Sequence, residues 1–165
     1  RRGHHGQRYR RNRNNIIQHN TMLQRDYILR LIREFMAAIE RMLRKKEIAD
    51  RREEIKQLYE QYVGPYALYR NATTDEVMLA LAGLDPEQRM ARMEMLAELF
   101  YVEADTVSFP DNEFLLEKAF ALFSVIEKEG KTYSMRRRWK MQDILERTGK
   151  DSHRSAERNE NILQS

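Results

Sequence analysis

The longest regular pattern of apolar and polar positions runs from Leu23 to Lys46. Ile28, Ile32, Phe35, Ile39 and Met42 recur at steps of four and three, the spacing of one helix face. Leu29, Met36 and Leu43 flank this stripe on one side, and Leu31 and Ala38 on the other. The arc is wider than a two-stranded seam needs. The pattern therefore predicts a helix over 23–46 that touches several neighbours and around which the other elements gather. Asp26, Arg30, Arg33, Glu34, Glu40, Arg41 and Arg44 fill the remaining face. Its i,i+4 pairs, Asp26 with Arg30 and Glu40 with Arg44, contribute about 0.2–0.5 kcal/mol each. Each large apolar side chain contributes about 1.5–3 kcal/mol on burial, so packing dominates.

Further helices follow at short intervals. Asp50 and Glu53 form a D-x-x-E start, predicting a helix to about Tyr62 with Ile55, Leu58, Tyr59 and Tyr62 inward. Gly64-Pro65 breaks it, and Pro65 opens a short helical piece through Tyr69. Thr73 and Glu76 form a second capping box, opening a helix to Ala82 that Gly83 ends. Asp85-Pro86-Glu87-Gln88 supplies a cap, a first-turn proline and a reciprocal Gln. The helix it starts should reach about Thr106, with Met93, Leu96, Ala97, Phe100, Ala104 and Val107 inward. Pro110-Asp111 restarts the chain into a helix with Leu115, Leu116, Ala119, Leu122, Phe123 and Ile126 inward, stopped by Gly130. Thr132 or Ser134 caps a last helix reaching Thr148 before Gly149. No run alternates with period two, and short turns imply antiparallel neighbours. The expectation is all-α: one domain over 22–149 of six or seven antiparallel helices, a repeat-like array around the 23–46 helix. Residues 150–165 read as a polar tail.

Composition narrows the chemistry. The chain has 165 residues and no cysteine, so it carries neither disulfides nor thiolates. All four histidines, His4, His5, His19 and His153, lie outside or at the edges of the helical pattern, and the stretch Met22–Gly149 has neither His nor Cys. Within it, zinc sites of the usual ligands, Ser-His-Asp triads and Cys-His pairs are excluded. No apolar run approaches the roughly 18 residues that span a bilayer. A basic start without a following apolar segment gives no secretory signal.

The net charge of +4 is unevenly placed. Six of the 30 Lys and Arg residues fall in 1–21, which hold none of the 26 Asp and Glu, so the remainder carries −2. Residues 1–21 read as a disordered basic tail. It is either an arm for nucleic acid or an acidic partner, or sequence upstream of a start at Met22. Residues 74–117 hold eleven acids against Arg89 and Arg92, and residues 131–150 hold seven Lys and Arg against Asp143 and Glu146. Such segregation can orient encounters with charged partners.

Three surfaces could carry function. Tyr59, Tyr62, Tyr66 and Tyr69 form a band at helical spacing, candidate partner-binding residues because tyrosine combines area with a polar tip; the same spacing also suits packing against neighbouring helices. Arg136, Arg137, Lys140 and Arg147 beside Trp139 form a candidate basic patch for phosphates and bases, which the acidic helices could instead neutralise. Glu94 and Glu98 stand one turn apart, the only opening for carboxylate-metal chemistry, but no E-x-x-D partner follows. The six glycines are scattered and form no phosphate loop. No catalytic, cofactor-binding or metal-binding residue is assigned.

Lys118-Ala119-Phe120-Ala121-Leu122-Phe123 resembles the second helix of a tetratricopeptide repeat, although no 34-residue period recurs. A separate and closer resemblance is carried by Asp26-Tyr27-Ile28-Leu29-Arg30-Leu31-Ile32, Leu116-Glu117-Lys118-Ala119 and Lys131-Thr132-Tyr133-Ser134 with Arg137 and Lys140. On these the chain resembles a family of small bacterial all-helical proteins, a domain of unknown function with tetratricopeptide-like packing. The resemblance implies a bacterial cytoplasmic protein and brings no active residues; residues 1–21 fall outside it. The sequence thus points to a non-enzymatic protein-interaction module without cofactor, its partner another protein or a second copy. A nucleic-acid-binding protein is the alternative, and a carboxylate-metal hydrolase stands third.

Overall fold

A computed structural model describes residues 5–130 and 132–150. They form seven α-helices and one 3-10 turn, and no strand occurs among them. The helices are α1 (His5–Leu43), α2 (Ile48–Tyr62), α3 (Tyr66–Asn71), α4 (Thr74–Leu81), α5 (Pro86–Glu103), α6 (Asp111–Glu129) and α7 (Met135–Arg147), with the turn at Ala104–Thr106. The class is all-α in a single compact arrangement. Among the described residues no helix is long and apolar enough to cross a membrane.

Local signals explain most of the boundaries. Thr73 Oγ1 accepts from Glu76 N at 3.2 Å, and Asp85 Oδ1 from Gln88 N at 3.0 Å, so both caps form where the sequence has them. Ser134, rather than Thr132, caps α7, accepting from Arg137 N at 3.2 Å. The Asp50 start is corrected. α2 begins at Ile48, and Asp50 lies inside its first turn, where a carboxylate still complements the helix dipole. Gly130 ends α6 at a close approach: a Cβ there would lie 2.5 Å from the Ile126 carbonyl oxygen. Gly64 turns the chain with φ +141°, a conformation that L side chains rarely adopt.

α1 extends further towards the N-terminus than the 23–46 pattern predicts. It begins at His5, so helix runs through residues 5–21, where the charge pattern reads as a disordered basic tail. Once 23–43 is helical, extension adds one hydrogen bond per residue, and the Arg, Asn and Gln run contains no proline to stop it. At 39 residues α1 is about 58 Å long, and residues 13–20 are exposed. Residues 1–4 and the C-terminal tail from 151 lie outside the described residues.

The segment enclosed on every side is the second half of α5. Met95, Leu96, Ala97, Glu98, Leu99 and Phe100 are buried in succession, which one-faced packing cannot produce. α6 packs along α5 most extensively, and α1 and α2 cover its other sides. α1 does bury Ile28, Phe35, Ala38, Ile39 and Met42. Leu29 and Leu43 on its flank remain exposed, so the wide arc is only partly covered. The inward set expected for α6, Leu115, Leu116, Ala119, Leu122, Phe123 and Ile126, is buried throughout.

Candidate functional site

The tyrosine band is part of the interior. Tyr59 and Tyr69 are buried, and Tyr62 stands edge-on to Phe35 with ring centroids 5.3 Å apart. Tyr59 and Tyr66 make a second T-shaped pair at 5.0 Å. Such pairs add about 0.5–1.5 kcal/mol beyond their buried area. The two hydroxyls converge on Glu103 at the end of α5: Tyr59 donates at 2.9 Å and Tyr66 at 2.6 Å. Arg70 reaches the same carboxylate at 3.5 Å. Burial and the Glu103 charge push the Tyr59 phenol well up, and burial with the Glu103 hydrogen bond pushes Tyr66 up to about 12. Two of the four rings of the candidate partner-binding band thus lie under other helices, while Tyr62 and Tyr66 are half-buried.

Beside it lies a cation that sequence reasoning did not single out. Lys118 is 3% exposed and donates to the carbonyls of Tyr69, Arg70 and Ala72 at 2.9, 3.0 and 2.8 Å. These carbonyls end α3 and have no intrahelical partner. The ammonium also sits 4.2 Å from the Phe100 ring centroid and 5.1 Å from that of Phe114. Burial and nearby Arg70 bring its pKa down to about 8. This is a structural tie between α6 and α3.

The basic patch is dismantled by pairing. Arg137 is buried, donating to Glu127 at 2.7 Å and to the Thr132 carbonyl at 2.8 Å. Its hydrogen bond holds the Glu127 carboxyl below the ordinary range. Lys140 is tied to Glu98 on α5, and Arg147 meets Asp105 at 2.7 Å and Asp143 at 3.6 Å. Lys150 reaches Glu117 at 2.8 Å. Arg136 is exposed without a carboxylate partner among the described residues, and Trp139 is 65% exposed. The acidic helices α5 and α6 thus answer the basic α7 from within the chain. A continuous phosphate-binding stripe does not form.

A groove of about 510 Å³ opens between α1, the first half of α5 and the α6–α7 junction. Ile28, Ile32, Met90, Ala91 and Ile126 give it an apolar lining, and Glu87, Glu94 and Glu129 stand among them. Its walls are fixed by contacts along α1. Gln24 donates to Asp85 at 2.9 Å, and Arg25 pairs with Glu87 at 3.3 Å. Gly130 lets the chain turn tightly at the far end, with its Cβ position 3.5 Å from Met90 Cε. Arg137 lines the groove but is turned to Glu127. No sequence motif marks the groove, since its residues come from three separate stretches.

Glu94 is the exceptional residue of this surface. Glu87 meets Arg25, Glu98 meets Lys140, and Glu103 meets Tyr59, Tyr66 and Arg70. Glu94, the remaining carboxylate of α5, is half-buried and has no hydrogen bond or ion pair among the described residues. Burial, with the Glu98 charge one turn away, holds its carboxyl above the ordinary range. Since Glu98 is tied to Lys140, the two do not form a free carboxylate pair. Among the described residues no three acidic or histidine side chains converge as metal ligands would. Comparison with protein-family models, characterised proteins and solved structures finds no match to the chain.

Proposed function

We propose that the protein is a non-enzymatic interaction module that docks a polypeptide in the groove between α1, α5 and the α6–α7 junction. One observation carries the reading: the fold leaves an apolar concavity open beside the stripe of its longest helix. Ile28, Ile32, Met90 and Ile126 line it, and Leu29 at its edge is 46% exposed. Its 510 Å³ falls within the range of about 300–1,000 Å³ typical of binding pockets.

Selection of a displayed random-peptide library on the full chain tests this. The enriched peptides are expected to compete with one another and to lose binding to a Leu29→Glu variant whose circular dichroism is unchanged. Peptides that bind the variant equally well would place the docking surface elsewhere and refute the reading.

A further inference from the structure

The docking groove holds two carboxylates without a hydrogen bond or ion pair among the described residues. Glu94 lies in its lining and Glu129 at the end of α6. The cations whose charge acts on Glu94 are Arg137 and Lys140, which are engaged by Glu127 and Glu98. The other carboxylates of α5 all have partners, so Glu94 stands apart by its position. A half-buried charge without a partner costs stability, and an incoming cation would remove that cost.

We infer that the groove receives an amphipathic helical segment of a partner protein, with apolar residues on Ile28, Ile32, Met90 and Ile126 and a lysine or arginine on Glu94. The inference rests on the docking reading and adds the chemistry of the occupant. Charge complementarity selects a cationic segment. Extent selects a polypeptide over a small amine, because apolar surface continues past the cavity. Leu29 lies at its edge, and Tyr133 and Met135, 67% and 74% exposed, bracket the lining residue Ser134. Architecture selects a helix. The walls are helices, among the described residues there is no sheet edge to extend, and helix-in-groove docking uses apolar anchors at helical spacing. Glu94 then forms a charge-assisted hydrogen bond in a partly desolvated setting.

The test uses the full chain and three fluorescent helical peptides of one apolar pattern, their polar positions filled by lysine, glutamine or glutamate. Anisotropy should rank lysine above glutamine above glutamate. Glu94→Gln should weaken the lysine peptide about ten- to a hundredfold, leave the glutamine peptide unchanged, and raise Tm. Glu129→Gln should weaken the lysine peptide less, because Glu129 is exposed. Zero-length carbodiimide crosslinking should join the peptide's lysine to Glu94 ahead of surface acids such as Glu40.

Leu29→Glu separates the two levels of the argument. If the glutamine or glutamate peptide binds as tightly as the lysine peptide, and Leu29→Glu abolishes it, docking stands and the cationic partner is refuted. If no peptide binds in a Leu29-dependent way, both fall. Lysine-peptide binding that ignores Glu94→Gln and crosslinks elsewhere overturns the inference. So does concentration-dependent self-association abolished by Leu29→Glu, which would make a second copy the occupant.

Discussion

Replacing Lys118 by Met tests whether one buried cation holds the short third helix against α6. The methionine side chain keeps most of the stem's volume but cannot donate. The carbonyls of Tyr69, Arg70 and Ala72 then lose their shared donor. An acceptor left buried without a partner costs about 1–3 kcal/mol. Tyr69 and Ala72 are buried and Arg70 is half-buried, so the three together would cost several kcal/mol. Removing the desolvated charge offsets part of this. The net loss expected is about 2–4 kcal/mol, a large share of the roughly 5–15 kcal/mol typical of a domain. Chemical denaturation should show a lower midpoint at unchanged slope. Hydrogen exchange should accelerate in α3 before the rest of the molecule opens. The sign with pH is also set. Burial brings Lys118 down to about 8 from 10.5, so between these values the unfolded chain binds more protons than the native one. Wild-type stability should therefore gain on the variant as pH rises from about 8 to 10.5. A loss below about 0.5 kcal/mol, the range of ordinary surface changes, or unchanged exchange in α3, would refute the tie.

Tyr59, Tyr66 and Tyr101 all have phenols pushed above 10.0, with Tyr66 at about 12. The native state keeps protons that the unfolded chain releases, so stability should fall as pH rises from 10 through 12. Spectrophotometric titration should resolve a late group that ionises only with unfolding; one step near 10 for all eight tyrosines in the folded protein would contradict this. A chain beginning at residue 22 should not bind mixed-sequence DNA or RNA at about 0.15 M salt, because Lys140, Arg147 and Lys150 are paired with Glu98, Asp105 and Glu117. Micromolar binding that is lost on Arg136→Glu with Lys140→Glu would contradict that pairing.

The helices were legible because their signals are local. The caps at Thr73 and Asp85, the stop at Gly130 and the inward set of α6 depend on residues within a few turns of one another. Asp50 shows the limit of such signals. A D-x-x-E pattern can start a helix, but three-residue spacing also occurs inside one, and the chain enters α2 earlier, at Ile48. The first twenty residues illustrate another limit. Their charge suggested disorder, whereas adjacency to a long helix extends α1 back to His5. The tyrosine band had the right period for a face but carried no information about what covers it.

The sequence alone determined the class of fold and the axial face of most helices, since periodicity records which side must leave water. It also excluded thiolate and histidine chemistry from Met22–Gly149, because those residues are absent there. Only the tertiary structure decided that the second half of α5 is enclosed, that Lys118 caps α3, and that the basic α7 is answered by acids of α5 and α6. The same holds for Glu94. On the sequence it is one acid among eleven in an acidic stretch. Its standing as the carboxylate of α5 without an ion pair among the described residues arises because residues far apart in the chain, Arg25, Lys140, Tyr59 and Tyr66, pair its neighbours and not it. Pairing depends on distances between helices, and those distances are set by packing.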